Sequence, residues 1–422
     1  MSRLVEYRWR ERELGPAETV WAFLLQVLHG NTACAHVVRL AQLSCTGAAY
    51  CAARMRWPLA VVERLLEQTS RAARNATCVP LWHGHRTFHV DGTSFSMPDT
   101  KALREHFGQS GQQKPGCGFP TAHVLAMFDA ATGLLISALA APLRTHEMSR
   151  ISQLHPELRV GDVLLADRAF ASWVHLALLL QAGLHAVFRV HQRQLVSFRR
   201  DRRLTGKQSR GTVAQVSTSR LVRKLAKYDQ IVEYLKPDTC PKWMDPATFA
   251  TLPATITVRE LRYRTCTPGF RTDVITLVTT LLDADVYTLP ELAGLYRKRW
   301  EIETNFAHLK TTMGMDVLSC QSVDGVLKEL AMFALVYNLA RLVMLAAARN
   351  QSAPLAQISF VDALRWLDEA CHYTPTVQLC LNPVRGNRCE PRVRKRRPKP
   401  YPLMRQPRCQ LRQPLAKKQV TP

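Results

Sequence analysis

The run "DVLLADRAF", residues 162–170, limits the possible folds more than any other stretch of this chain. Val163, Leu164, Leu165 and Ala166 are four apolar residues in a row, bounded by acids at Asp162 and Asp167. Successive side chains of a strand point to opposite faces, so a strand of this composition must be buried on both. That requires a sheet with helices on each side. Asp167 then falls at the carboxyl end of an interior strand, where ligands of open α/β sheets bind.

The neighbouring periodicities complete the plan. "RTFHVDGTSFSM" reads as a strand, and "TAHVLAMFDA" and "GLLISALAAPL" as two more, joined by the turn signal "DAATG" into a hairpin. A short helical stretch containing "HEMSRISQL" follows, with Thr145 as its expected cap. After the apolar run come a helix, "WVHLALLLQAG", and a strand, "HAVFRV". Three strands, helix, strand, helix, strand is the order of a ribonuclease H-like α/β fold, a mixed sheet with flanking helices.

Around this core we expect five regions. Residues 1–80 are helical in periodicity and suit a DNA-binding domain, 81–190 the first part of the core, and 191–287 a β-rich insertion. Residues 288–350 supply two helices of the core, the first opened by a Thr288–Glu291 capping box. Residues 351–422 form a helical segment and a tail rich in Pro, Arg and Lys, expected to order only on a partner. The apolar stretch 330–348 is interrupted by Asn338 and Arg341 and reads as a buried core helix, with no membrane partner.

Charge points to the partner. There are 57 Lys+Arg against 33 Asp+Glu, a net +24. Such an excess costs self-repulsion and asks for a polyanion, nucleic acid before an acidic membrane surface. The twelve cysteines form no C-x-x-C pair. They suit reduced thiols in a cytosolic protein, not a structural zinc site. His83, His85 and His89 likewise fit no usual zinc spacing.

In a basic protein the acids stand out. "YRKRWEIETNFAHLK", residues 296–310, holds Glu301 and Glu303. On one continuous helix at about 100° per residue, Tyr296, Arg299, Glu303 and Lys310 share an arc of about 60°. That arc adjoins an apolar stripe of Leu295, Ile302, Phe306, Leu309 and Met313. Glu301 points away to water. Glu303 could simply pair with Arg299, four residues back. Asp91 breaks the hydrophobic alternation of its strand, and Asp167 ends the next strand in the sheet. Three carboxylates drawn together repel one another unless divalent cations intervene, and an all-oxygen site suits Mg2+ or Mn2+. Two such ions about 4 Å apart activate an attacking oxygen and stabilise the leaving one.

The stretch fits Y-x2-R-x3-E-x6-K at Tyr296, Arg299, Glu303 and Lys310 without a gap. It resembles the YREK signature of the family-four insertion-sequence transposases, within the DDE superfamily. "HVDGTSF" and "LLADRAF" resemble that family's first and second acidic motifs. The resemblance implies a DNA transposase in which Asp91, Asp167 and Glu303 hold two Mg2+ or Mn2+ ions. Tyr296, Arg299 and Lys310 would contact DNA near the cleaved end, with Arg168 in support. It further implies cleavage and joining of element ends through DNA hairpins gripped by the insertion. A homodimer in a synaptic complex, a prokaryotic cytoplasmic setting at the nucleoid and no nucleotide cofactor follow from the same source. Ala307 and Ser319 stand where many relatives carry a basic residue, and no motif assigns a base-stacking role to Trp243. On residues alone two rivals stay open: a catalytically inactive or domesticated transposase-derived DNA-binding protein, and a ribonuclease H-like nuclease without strand transfer.

Overall fold

The computed structural model describes residues 14–76, 81–110, 114, 116–191, 194, 196–199, 219–265, 274–371, 376–383, 406, 407, 410 and 413. Most of the basic tail and the basic stretch 201–218 lie outside them. Four helices open the chain: α1 (Pro16–Leu28), α2 (Cys34–Leu40), α3 (Gly47–Arg56) and α4 (Leu59–Ala76). The core alternates β1 (Thr87–Ser96), α5 (Lys101–Phe107), β2 (Thr121–Asp129), β3 (Leu135–Pro142), β4 (Val163–Ala166), α6 (Trp173–Gln181) and β5 (His185–Arg189). Then come β6 (Ser219–Ala226), β7 (Asp229–Leu235), α7 (Pro246–Thr251), β8 (Thr255–Arg264) and β9 (Val274–Thr279). Helices α8 (Leu289–Arg297), α9 (Glu301–Ala307), α10 (Val323–Asn350) and α11 (Phe360–Glu369) follow.

Among the described residues nine strands form one mixed α/β sheet, ordered β3-β2-β1-β4-β5-β9-β8-β7-β6. Its β3-β2-β1-β4-β5 half is antiparallel on the hairpin side and parallel through β1, β4 and β5, the ribonuclease H-like arrangement. Strand β4 is buried on both faces, as its composition demands. Leu164 and Ala166 face the core under α6, and Val163 and Leu165 the core under α8. At about 1.5–3 kcal/mol per fully buried large aliphatic side chain, such a sequence is stable only mid-sheet.

The segment 191–287, read from its sequence as a β-rich insertion, does not stand apart from the core sheet. Its strands extend the core sheet: β9 returns to pair antiparallel with β5, Phe188 opposite Val278. Buried polar groups tie the extension together. Arg259 is 1% exposed and donates to Asp229 Oδ1 at 2.8 Å and to the Tyr287 carbonyl at 2.6 Å. Glu260 accepts from the Tyr234 hydroxyl and from Gln230, each at 2.7 Å. Trp243 packs against the core under α6.

Helix α10 is long and apolar enough to cross a membrane, yet 72% of its most apolar window is buried within the protein. The two polar residues that interrupt it are structural. Asn338 brackets the β2–β3 hairpin, accepting from Leu135 N and donating to Leu135 O, both at 2.8 Å. Arg341 donates to Thr132 O. Gly133 admits that guanidinium: it has φ +69°, and a Cβ there would lie 2.0 Å from Arg341 Nη2. The N-terminal helices dock on α10 through buried polar contacts, Lys328 to Met55 O at 2.8 Å and Asn31 to Glu329 at 2.5 Å.

Candidate active site

Register places the first two acids. Val90 of β1 pairs in parallel with Ala166 of β4, and Asp91 and Asp167 are the next residue of each. Alternation puts Asp91 on the sheet face of His89, Thr93 and Phe95, which α9 and the turn after it cover. Asp91 Oδ1 accepts from Gly92 N at 2.8 Å, and Oδ2 meets Arg299 Nη1 at 3.3 Å. Burial raises the Asp91 carboxyl above the usual carboxylate range. The Gly92 amide and Arg299 oppose that shift, and the negative charges of Glu147 and Asp167 reinforce it. Asp167 precedes a 3-10 turn, Arg168–Phe170, without capping it through its side chain. Its Oδ1 is buried and has no hydrogen-bond partner among the described residues. Arg168 Nε stands 4.0 Å from Oδ2.

Arg299 carries the third acid to the first. Its Nη2 lies 3.8 Å from Glu303 Oε1 while Nη1 holds Asp91. The ion pair open on sequence grounds is therefore present, and the same guanidinium also reaches the sheet. Arg299 is 8% exposed, with Nε buried and unpartnered among the described residues. The Glu303 side chain is 50% exposed. Tyr296 is buried, and burial, with Asp167 adding, pushes its phenol well above the usual range. Lys310 Nζ donates to Thr93 Oγ1 at 3.2 Å and Ser94 O at 3.0 Å, and burial lowers its pKa.

The helix bearing these residues is not continuous, contrary to the single run expected over 288–313. A 3-10 turn, Lys298–Trp300, separates α8 from α9, and a π turn, His308–Thr312, ends α9. The 3-10 turn is wound more tightly than an α-helix and the π turn more loosely, so a constant 100° step misplaces residues across them. The apolar stripe survives: Leu295, Ile302, Phe306, Leu309 and Met313 are all buried. Arg299 turns inward, and Glu303, like Glu301, is exposed.

Sequence reading also missed three neighbours. Glu147 lies against Gly92 and pairs with His123 at 3.0 Å. The cap of its 3-10 turn is His146, whose Nδ1 accepts from Met148 N at 3.2 Å, not Thr145. His89 is fully buried beside Asp91, and both ring nitrogens lack partners among the described residues. Burial, with the nearby Arg299 and Lys298 charges, lowers its pKa to about 3, so it stays neutral. The one sequence signal for Glu147 was Gly92, since a glycine inside a strand marks close approach of another group. The other two members of the histidine cluster have structural partners: His83 reaches Glu291, and His85 reaches Gly161 O and Tyr287.

Acids leaving the carboxyl ends of adjacent parallel strands, in a sheet of this order, give the layout of a ribonuclease H-like core. Residues 82–339 match the family model of the transposase DDE domain, more than half of the chain. The chain belongs to that family and is a DNA transposase of the DDE type, a nuclease and strand transferase. It is similar to Transposase InsG for insertion sequence element IS4 of Escherichia coli (strain K12). The two are 25% identical over 370 residues, 83% of this chain and 76% of that one. Among solved structures, the piggyBac transposase synaptic complex with hairpin DNA aligns over 86% of this chain and 74% of its own. Its identity is 11% and its TM-score 0.42. The Mos1 transposase paired-end complex with left transposon end aligns over 43% and 60%, at 12% identity and TM-score 0.17. Likeness at that level bears on neither fold nor activity.

DDE domains use divalent metal ions. Among the described residues no three His, Cys, Asp or Glu side chains stand together as a metal-holding group. Asp91 and Asp167 are neighbours, whereas Glu303 is linked to Asp91 through Arg299. The donor chemistry nonetheless fits hard cations: all three acids offer oxygen, and the buried Asp167 Oδ1 has no hydrogen-bond partner among the described residues.

Proposed function

We propose that Asp91, Asp167 and Glu303 hold two Mg2+ or Mn2+ ions, and that the enzyme uses them to cleave and rejoin the ends of an insertion sequence. The paired exit of Asp91 and Asp167 from adjacent parallel strands carries this reading. Bound there, such ions would supply an activated water or 3′-hydroxyl and charge stabilisation of the leaving oxygen. The protein's own groups do the positioning. Arg299 neutralises Asp91 and steers Glu303 toward it, so repulsion does not drive the acids apart before DNA arrives. Lys310 fastens the helix end to β1 beside Asp91. Neutral His89 adds no competing charge underneath.

Tyr296, Arg299, Lys310 and Arg168 are the proposed DNA contacts near the scissile bond. Arg168 is the most available, its side chain 41% exposed beside a cleft of about 160 Å³ that Arg189 and Arg262 also line. Residues 1–80 would bind the element ends, the strands of 191–287 would grip a DNA hairpin, and two copies would bring paired ends together. The setting is the cytoplasm of a prokaryote, at the nucleoid.

The test is a labelled terminal-repeat duplex incubated with the protein and Mg2+. Nicking followed by a hairpin or joined product is expected. Nicking alone would reduce the reading to a nuclease, and binding without nicking to a transposase-derived DNA-binding protein.

A further inference from the structure

Asp91 is held from both faces of the sheet. Arg299 reaches it on the α9 side. On the other side lies Gly92, and against it the pair of His123 Nε2 and Glu147 Oε1, 3.0 Å apart. The contact is close. A Cβ at Gly92 would fall 2.0 Å from Glu147 Oε1 and 2.8 Å from His123 Cε1. The pair thus occupies the volume that any other residue at position 92 would fill.

Its setting makes this more than packing. Pairing of β1 with β4 stops at Val90, so Asp91 and Gly92 lie where β1 has lost its neighbour on that side. Glycine is also the least restrained residue in a strand. Yet Gly92 N donates to Asp91 Oδ1 at 2.8 Å, so the orientation of this peptide sets the orientation of the carboxylate. His123 comes from β2, beside Ser94 in the register. Glu147 comes from a turn fixed by the His146 cap, by buried Met148, and by Arg150 donating to Ala140 O at 2.7 Å. Two anchored elements therefore press on a mobile residue type.

We propose that the His123–Glu147 pair is a positioning element for Asp91: seated on Gly92, it fixes the Asp91–Gly92 peptide and thereby the carboxylate offered to a divalent cation. The inference rests on the reading of Asp91 as a metal ligand. Glu147 acts through Gly92 and is not itself a ligand. Outer partners of ligands of this kind are worth about 10–100-fold in metal affinity.

The experiment titrates the full-length protein with Mn2+ alone, following free Mn2+ by electron paramagnetic resonance. It is accompanied by terminal-repeat binding in EDTA and by thermal melts. Glu147→Ala and His123→Ala should each weaken Mn2+ binding about 10–100-fold while leaving DNA affinity in EDTA unchanged. The double variant should be no worse than the poorer single one, because the two side chains act as one unit. Glu147→Gln, which still fills the space and accepts from His123, should stay close to wild type. If it instead loses as much as alanine does, the carboxylate acts by charge or by direct ligation, and positioning is wrong. Glu147→Asp keeps the charge but withdraws it one methylene from Gly92. It covers the case in which the alanine variants fail to fold, and it too should weaken Mn2+ binding. An unchanged Mn2+ midpoint in these variants, with Asp91→Asn abolishing binding, overturns the proposal alone. An unchanged midpoint in Asp91→Asn overturns the metal-site reading beneath it.

Discussion

Val90 and Ala166 are the last residues paired between β1 and β4, so Asp91 and Asp167 leave the parallel ladder side by side. Two carboxylates at one level repel each other, and burial makes the repulsion harder to screen. Burial is what chiefly raises the proton affinity of Asp91; Glu147 and Asp167 add to the shift, and the Gly92 amide and Arg299 oppose it.

Asp91→Asn, Asp167→Asn and Glu303→Gln should each reduce end cleavage by more than the roughly 10–100-fold that loss of an outer partner costs. Affinity for end DNA in EDTA should stay near wild type. Glu301→Gln, at an exposed position, should cleave within about twofold of wild type. Equal losses in the two glutamate variants would refute the assignment of Glu303.

The Asp229–Arg259 pair is buried, at 4% and 1% exposure. Asp229→Ala strands a guanidinium in the sheet extension and should cost about 3–5 kcal/mol in urea unfolding. Replacing both partners with apolar residues of similar volume should recover most of the loss. A double replacement as damaging as the single one would mean that the pair itself, not the orphaned charge, holds the extension.

Asn338→Leu should destabilise by about 2 kcal/mol or more, because Leu135 N and O both lose a buried partner. The change should lower the melting temperature without altering the Mn2+ midpoint. A normal melting temperature would show that the hairpin finds other partners.

Acid should weaken the fold in a definite window. Burial holds His155 near a pKa of about 4 and His175 near about 3, against an ordinary 6.5. Both are neutral in the native state, so below pH 6.5 the unfolded chain binds more protons and stability falls as the pH drops toward about 4. His155→Gln should flatten that slope in melts recorded between pH 7 and pH 4. An unchanged slope would assign it to other groups.

Where the sequence spoke clearly, one local rule decided. The "DAATG" turn between alternating runs gave the β2–β3 hairpin, and the unbroken apolar run gave β4. Thr288 and Glu291 form the expected capping box at the start of α8. Where two rules competed, the reading slipped. The 288–313 stretch has helical periodicity throughout, but inserting Arg299 between Asp91 and Glu303 goes with a 3-10 turn that no periodicity reveals. The "THE" stretch suited a helix cap, and nothing in its own residues tells that Glu147 will meet Gly92.

The amino-acid sequence alone determined most of which segments become strands and helices, because periodicity and turn chemistry are properties of the chain. Only the tertiary structure decided that β9 closes onto β5, that Arg299 spans Asp91 and Glu303, and that His123 and Glu147 sit behind Gly92. Those contacts join residues far apart along the chain. They depend on register and on the space left by a missing side chain, and neither is encoded in any local stretch.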